Sequence, residues 1–322
     1  MKGSFKKWGV ICAGSIVLLI VLAEAGLRMG GAIDFATYDA DPKIGYVPKP
    51  NQSGSFLNSR DWALNDRAFA ARQDWSERSP GRKDMLVVGD SVVWGGNPLR
   101  ENERLGPSLE KQLGPSWQVW PASAGGWSIV NALEFMRRNI DVYRSADLVV
   151  WVINSGDMQP LATFDSNLAH PRARPASALV HYLDKYALSR LKTSNTAENP
   201  AIEDGARIEP SVLEAFSSFV RNERSGDTLI VIYPDLDDLT VQAADFRRYA
   251  AAFAELCQNK VHCVDVSTQG SWGKTMYRDG IHPSGAGNGA LAAIIGNQIQ
   301  TWQSSPGPAG APSAPKQQGQ LN

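Results

Sequence analysis

The chain has 322 residues, 43% of them hydrophobic and 20% charged, which is enough for one large α/β domain with appendages and a proper buried core. Lysine and arginine total 32 against 33 aspartates and glutamates, a formal charge of −1 with no long basic block, so nucleic acid is not an expected partner. The 4 histidines and 3 cysteines show no zinc spacing, and neither a P-loop nor a dinucleotide glycine pattern occurs, so no metal and no organic cofactor is implied.

Lys2, Lys6 and Lys7 precede an apolar run over residues 8–23. A basic flank before an apolar stretch reads as an export signal with its positive end kept in the cytoplasm, which places the bulk of the chain outside. Two versions compete for residues 1–29. Ala23-Glu24-Ala25 has the small-x-small form of a cleavage site. Alternatively the run continues through Gly26 and Leu27 and stays as a short anchor, marginal against the about 20 residues a span needs. Glu24 and Arg28 resemble a boundary with water, which favours the anchor.

Residues 30–83 read as an irregular lead-in. Within it, residues 46–51 (YVPKPN) are extended and proline-stiffened, and residues 62–72 are turn-like and then helical. From residue 84 the pattern is regular: strands at 85–88, 117–120 and 147–153 alternate with helices at 104–113 and 130–139. The third strand, DLVVWVI, is apolar without alternation, as in a strand covered on both faces. Residues 158–206 break the rhythm as an insertion with a helix at 177–191, placed where lids sit. A helix (211–221), strand (228–233), helix (241–257), strand (261–266) and helix (285–302) then resume the alternation. This order implies a mainly parallel sheet with helices on both faces, a three-layer α/β/α arrangement. The tail, 304–322, is rich in Pro, Gly, Ala and Gln and reads as disordered.

Two stretches carry chemistry. In residues 86–96, LVVGDSVVWGG, an apolar strand runs into Gly89-Asp90-Ser91. Either the serine belongs to a turn that caps the next helix, or it is a nucleophile held at the carboxyl edge of the sheet. Asp279-Gly280-Ile281-His282-Pro283-Ser284 stands before the last helix. An aspartate three residues before a histidine can curl back and fix its tautomer, leaving the other ring nitrogen as a general base. The alternative is a helix start with a surface histidine. A glycine-rich turn (Gly125-Gly126-Trp127-Ser128) and an aspartate-containing turn (Asn154-Ser155-Gly156-Asp157) follow the second and third strands, so all four blocks fall at strand carboxyl ends.

In this combination and order the blocks resemble those of the SGNH hydrolase (GDSL-like) superfamily, over residues 84–302. Gly45-Tyr46, Pro50-Asn51 and Asn65 to Arg67 resemble the lead-in common in its exported members. The resemblance implies a flavodoxin-like sheet, with Ser91 as nucleophile, His282 as its base and Asp279 orienting that base. It makes the backbone N–H groups of Ser91 and Gly126 oxyanion donors and gives Asp90 a structural part in the turn. One block departs from the family: Gly156 stands where the family has an asparagine that donates its amide to the oxyanion. Losing such a donor costs roughly 3–4 kcal/mol. Three readings follow. Asn154, two residues upstream on the same side of the strand, takes over; the site works on backbone donors or another group; or the enzyme is weak or inactive. Rescue is favoured, against a capping role for Asn154.

His170, Arg172 and Arg174 on the insertion either bind an anionic sugar or acyl carbonyl or form a solvated loop. Trp94 and Trp127 either line an acyl or sugar pocket or pack in the core. Cys257 and Cys263 form a disulfide in an oxidising compartment or stay as two thiols. The resulting expectation has four parts: residues 1–29 as signal, 30–83 packing on the catalytic domain, 84–303 as that domain, and the tail. The resemblance implies a membrane-tethered esterase that removes O-acyl groups, acetyl above all, from an extracellular or envelope polysaccharide. The alternatives are a polysaccharide O-acetyltransferase with the same triad, or a non-catalytic glycan-binding or assembly protein.

Overall fold

The computed structural model describes residues 2–164, 166–188 and 208–304. Its centre is a five-stranded parallel sheet in the order β6-β5-β7-β8-β9, formed by β5 (Lys83–Gly89), β6 (Trp117–Ser123), β7 (Leu148–Asn154), β8 (Asp227–Tyr233) and β9 (Val261–Asp265). Counted within the sheet this is the doubly wound order 2-1-3-4-5, with the reversal at β5. Ligand crevices open at the carboxyl ends of strands beside such a reversal.

The apolar runs in these strands are continuous because each strand feeds two cores. Leu86, Val88, Val149, Trp151, Ile153 and Ile230 face one core. It is closed by α4 (Ile129–Arg138), α5 (Ile140–Ser145), α7 (Pro210–Asn222) and α8 (Ala243–Ala251), through side chains such as Leu133, Tyr143, Phe216 and Phe246. Met85, Val87, Val150, Val152, Leu229 and Val231 face the other. There α2 (Ser91–Trp94), α3 (Leu105–Leu113) and α9 (Gly285–Ser304) pack through Val92, Leu109, Leu291 and Ile295. The fold is thus a three-layer α/β/α sandwich of flavodoxin type.

The lead-in is not irregular. It holds two antiparallel hairpins, β1 (Tyr38–Asp41) with β2 (Gly45–Pro48), and β3 (Gln52–Phe56) with β4 (Arg60–Leu64). These strands are four or five residues long, and β3 reads QSGSF. Such strands are held by ladder bonds and tertiary contact rather than by a hydrophobic period, so no pattern announces them. The helix expected within residues 62–72 is the end of β4 and a turn in which the Asn65 side chain accepts from Arg67 N and Phe69 N.

Two later helices are shorter than their apolar patterns. The insertion helix is α6 (Ala178–Leu183), followed by a π-turn over Asp184–Leu188; the rest of its expected span, like the tail beyond Ser304, lies outside the described residues. After α8 the chain tightens into three-residue turns, with Phe253 N on Ala250 O and Ala254 N on Ala251 O. The long helix α1 (Lys2–Met29) precedes everything else.

Candidate active site

β5 ends at Gly89 and the chain enters α2 at once. A Cβ on Gly89 would lie 2.6 Å from Val93 Cγ2 and 2.9 Å from the Val152 carbonyl oxygen, so only glycine lets the strand run this close beneath the helix. Asp90 caps α2, its Oδ1 accepting from Val92 N at 2.8 Å. Ser91 is the first helical residue, and its Oγ lies 2.9 Å from His282 Nε2.

His282 stands on the turn that precedes α9. The Asp279 carboxylate accepts the backbone N–H groups of Ile281 at 3.0 Å and His282 at 2.8 Å, and meets His282 Nδ1 with both oxygens at 3.0 Å. Burial pushes the Asp279 carboxyl up, but the N–H groups of His282 and Ile281 and the nearby ring outweigh it, so its pKa is lowered. An ionised carboxylate on Nδ1 favours the proton there and leaves Nε2 as an acceptor toward Ser91. Arg278 ties this turn to the nucleophile's, donating to Gly95 O at 2.9 Å with its Nε 3.5 Å from Asp279 Oδ2. Tyr233 holds it from below through Ile281 O at 2.6 Å.

The glycine turn after β6 lies against the serine: the Cβ position of Gly125 is 3.9 Å from Ser91 Cβ. Its carbonyl oxygen accepts the Tyr46 hydroxyl at 2.7 Å and meets His170 Nε2 at 2.8 Å. The Tyr46 and His170 rings lie with centroids 3.9 Å apart. In a trans peptide the N–H points opposite to the preceding C=O, so the two partners on Gly125 O set the direction of the Gly126 N–H. Gly126 has φ +75°, and a Cβ there would lie 3.0 Å from the Tyr46 hydroxyl.

After β7, Asn154 bridges two buried carboxyls. Its N–H donates to Asp157 Oδ2 at 2.9 Å and its Nδ2 to Asp90 Oδ2 at 3.1 Å, while its Oδ1 accepts from Gly156 N at 2.8 Å. Burial raises the pKa of both Asp90 and Asp157, the latter further by the Asp90 charge. The amide expected to rescue the oxyanion thus donates to the turn behind the serine, on one of two buried acids.

A cavity of about 440 Å³ opens over the serine, with Trp94, His170, His181, Arg278 and His282 in its lining. Its walls come from three sources: the sheet turns, the lead-in through Phe35 and Tyr38, and the insertion through His170 and His181. Chemically, a serine hydroxyl on a carboxylate-oriented imidazole, beside a fixed peptide N–H, can attack an ester carbonyl and hold the developing charge.

No protein-family model matches the sequence, and no curated protein does. Solved structures do. A carbohydrate acetylesterase family member from Sinorhizobium meliloti is 18% identical, with 68% of this chain and 98% of that one covered and a TM-score of 0.43. The carboxyl-terminal catalytic domain of Streptococcus pneumoniae peptidoglycan O-acetyltransferase A is also 18% identical, with 70% and 97% covered and a TM-score of 0.40. A lipase/acylhydrolase from Enterococcus faecalis is 11% identical, with 68% and 96% covered and a TM-score of 0.44. Likeness at this level does not carry an activity or a substrate across.

The other sequence candidates divide. Trp94 and His170 line the cavity. Trp127 does not: it is 2% exposed, packs on Phe135 with centroids 5.0 Å apart, and donates its Nε1 to Tyr46 O at 2.9 Å. It is a core side chain, not a sugar platform. Arg172 lies over the Phe164 ring and Arg174 pairs with Asp34, both away from the cavity, because nearer partners on their own surface hold them. Cys257 and Cys263 are joined by a disulfide, with Cα atoms 5.6 Å apart. Tyr46, His181 and Arg278 were not singled out by sequence. Gly45-Tyr46 marked the lead-in without a role, and nothing in the sequence places His181 or Arg278 at the cavity.

Proposed function

We propose that the protein is an SGNH-type serine esterase that removes O-acyl groups, acetyl above all, from a polysaccharide outside the cytoplasm, with residues 84–303 as the catalytic domain. The observation that carries this reading is the continuous chain from Ser91 Oγ through the His282 ring to the Asp279 carboxylate, at 2.9 and 3.0 Å.

Ser91 Oγ attacks the ester carbonyl as His282 Nε2 takes its proton. The tetrahedral oxyanion is held by the N–H groups of Ser91 and Gly126. His282 returns the proton to the leaving sugar oxygen, and the acyl group stays on Ser91. Water, deprotonated by His282, then releases the acid and restores the serine. Asp279 holds the ring and stabilises its charged form throughout.

The test is hydrolysis of p-nitrophenyl acetate by the parent, Ser91→Ala and His282→Ala. Each variant should lose at least about a thousandfold in kcat. A parent no faster than Ser91→Ala overturns the esterase. Adding an oligosaccharide separates hydrolysis from transfer: acetyl found on the sugar instead of in acetate identifies an acetyltransferase.

A further inference from the structure

α1 does not end free of the domain. Its last turn closes with Gly31 N on Arg28 O and Ala32 N on Leu27 O, both at 3.0 Å, and Asn58 Nδ2 donates to Met29 O at 2.7 Å. Leu27 packs with Ile33, Phe35, Ala178 and Tyr182.

Glu24 goes further. Its carboxylate caps the start of α6, accepting from Ser177 Oγ at 2.8 Å and from the N–H groups of Ala178 and Leu179 at 2.9 Å each. Arg28 clasps Glu24 and donates to the Pro175 and Ala176 carbonyl oxygens. α6 in turn carries His181, which lines the cavity and lies 5.5 Å from the Phe35 ring, itself a cavity wall. An unbroken set of contacts thus runs from the last turn of α1 to the wall over Ser91.

α1 is long and apolar enough to cross a membrane. The 19 residues Ile11–Met29 have a mean hydropathy of 2.0, with none of that span's defining window buried in the protein. Before Glu24 the helix runs over residues 2–23, about 33 Å, close to the hydrocarbon thickness of a bilayer. Its charged end, Glu24 and Arg28, falls where the domain begins. Tyr38 lines the cavity only nine positions after Met29, and nine residues reach at most about 30 Å.

We propose that α1 stays on the chain as a membrane anchor, that Glu24 makes it a working part of the pocket wall, and that the pocket serves an acylated substrate at the membrane surface. Cleavage after Ala25 would remove the cap of α6 along with the anchor. The substrate part rests on the esterase reading; the anchor part does not.

The first test reads the mass of the full chain, tagged at its carboxyl end and purified in detergent from a bacterial host. Intact α1 is expected; a chain beginning at Gly26 overturns the proposal. The second compares Glu24→Ala and Glu24→Gln with the parent, by p-nitrophenyl acetate hydrolysis and by limited proteolysis near residues 175–188. Glu24→Ala should cut more readily there and lose about fivefold in kcat/KM, with Glu24→Gln between the two and thermal unfolding little changed. Unchanged cutting and rate in both variants remove the wall role.

The third places the pocket. A Cys12→Ser, Asn97→Cys chain, labelled at Asn97 on the cavity rim and set in phosphatidylcholine vesicles with acceptor-labelled lipid, should transfer energy as a donor within about 30 Å of the bilayer. No transfer refutes a surface-held site. If Ser91→Ala matches the parent, the esterase reading falls, while the mass and energy-transfer results still decide the anchor.

Discussion

Ser91 and Asp90 are neighbours whose side chains touch, Ser91 Oγ donating to Asp90 Oδ2 at 3.3 Å, and whose other partners differ. The serine faces His282, while the aspartate is turned back into the protein to cap α2 and to receive the Asn154 amide. Asn154 therefore braces the turn that carries Ser91, and in the proposed mechanism the charge of a tetrahedral intermediate falls on backbone N–H groups. That puts weight on the peptide between Gly125 and Gly126, whose direction depends on Tyr46 and His170. Tyr46→Phe keeps the ring stack and removes one hydrogen bond, a loss of about 1 kcal/mol. We expect kcat for p-nitrophenyl acetate to fall about fivefold with KM nearly unchanged. A raised KM at constant kcat would instead mean that Tyr46 touches the ester in its ground state. Ser91, His282 and Asp279 could be singled out in the sequence because turn chemistry at a strand end leaves a short local signature. Tyr46 could not, since what matters is a hydroxyl meeting a carbonyl 79 positions away.

The sheet and its covering helices were legible for the same reason that the hairpins were not. β5 and β7 carry unbroken apolar runs, over residues 85–88 and 148–153, of the kind a doubly covered strand needs. The hairpins satisfy their backbones with little apolar surface, and the helices α6 and α8 stop earlier than their apolar residues suggest. The link between α8 and β9 carries Cys257, which is joined to Cys263 on the edge strand β9, six positions on. It closes a short loop, so by chain entropy its removal costs about 2 kcal/mol. A Cys257→Ala, Cys263→Ala chain should show that loss in denaturant unfolding and keep the parent's kcat, because the bridge ties the link before β9 to the middle of that strand and the reacting groups sit beyond the strands' carboxyl ends. A large fall in kcat would show that β9 positions the site more directly than its place at the edge implies.

At the scale of the whole molecule, the site edge of the sheet gathers acids that the fold keeps from water. Asp238 is 1% exposed and accepts from Ser155 Oγ at 2.8 Å and Asp235 N at 3.0 Å. Burial pushes its carboxyl up to about 6, against the pull of those two bonds. The folded chain therefore holds this proton to higher pH than the unfolded chain, where a carboxyl titrates near about 4. Its contribution to stability is full below about pH 4 and is lost as the pH rises toward about 6. Unfolding free energies at pH 4, 5, 6 and 7 should decline for the parent relative to Asp238→Asn across that window. Parallel curves would show that Asp238 titrates in the fold as it does in the unfolded chain.

Ser91 and His282 stand 191 positions apart, and the first hairpin, whose Tyr38 walls their pocket, comes before either. In the proposed mechanism, therefore, a ribosome makes the nucleophile early and its base late. Until the final helix has emerged and α9 has settled on α3, the serine has an acid-lined turn behind it and nothing to take its proton. The half-made chain is thus chemically silent, and reactivity arrives in one step, with the completion of the fold.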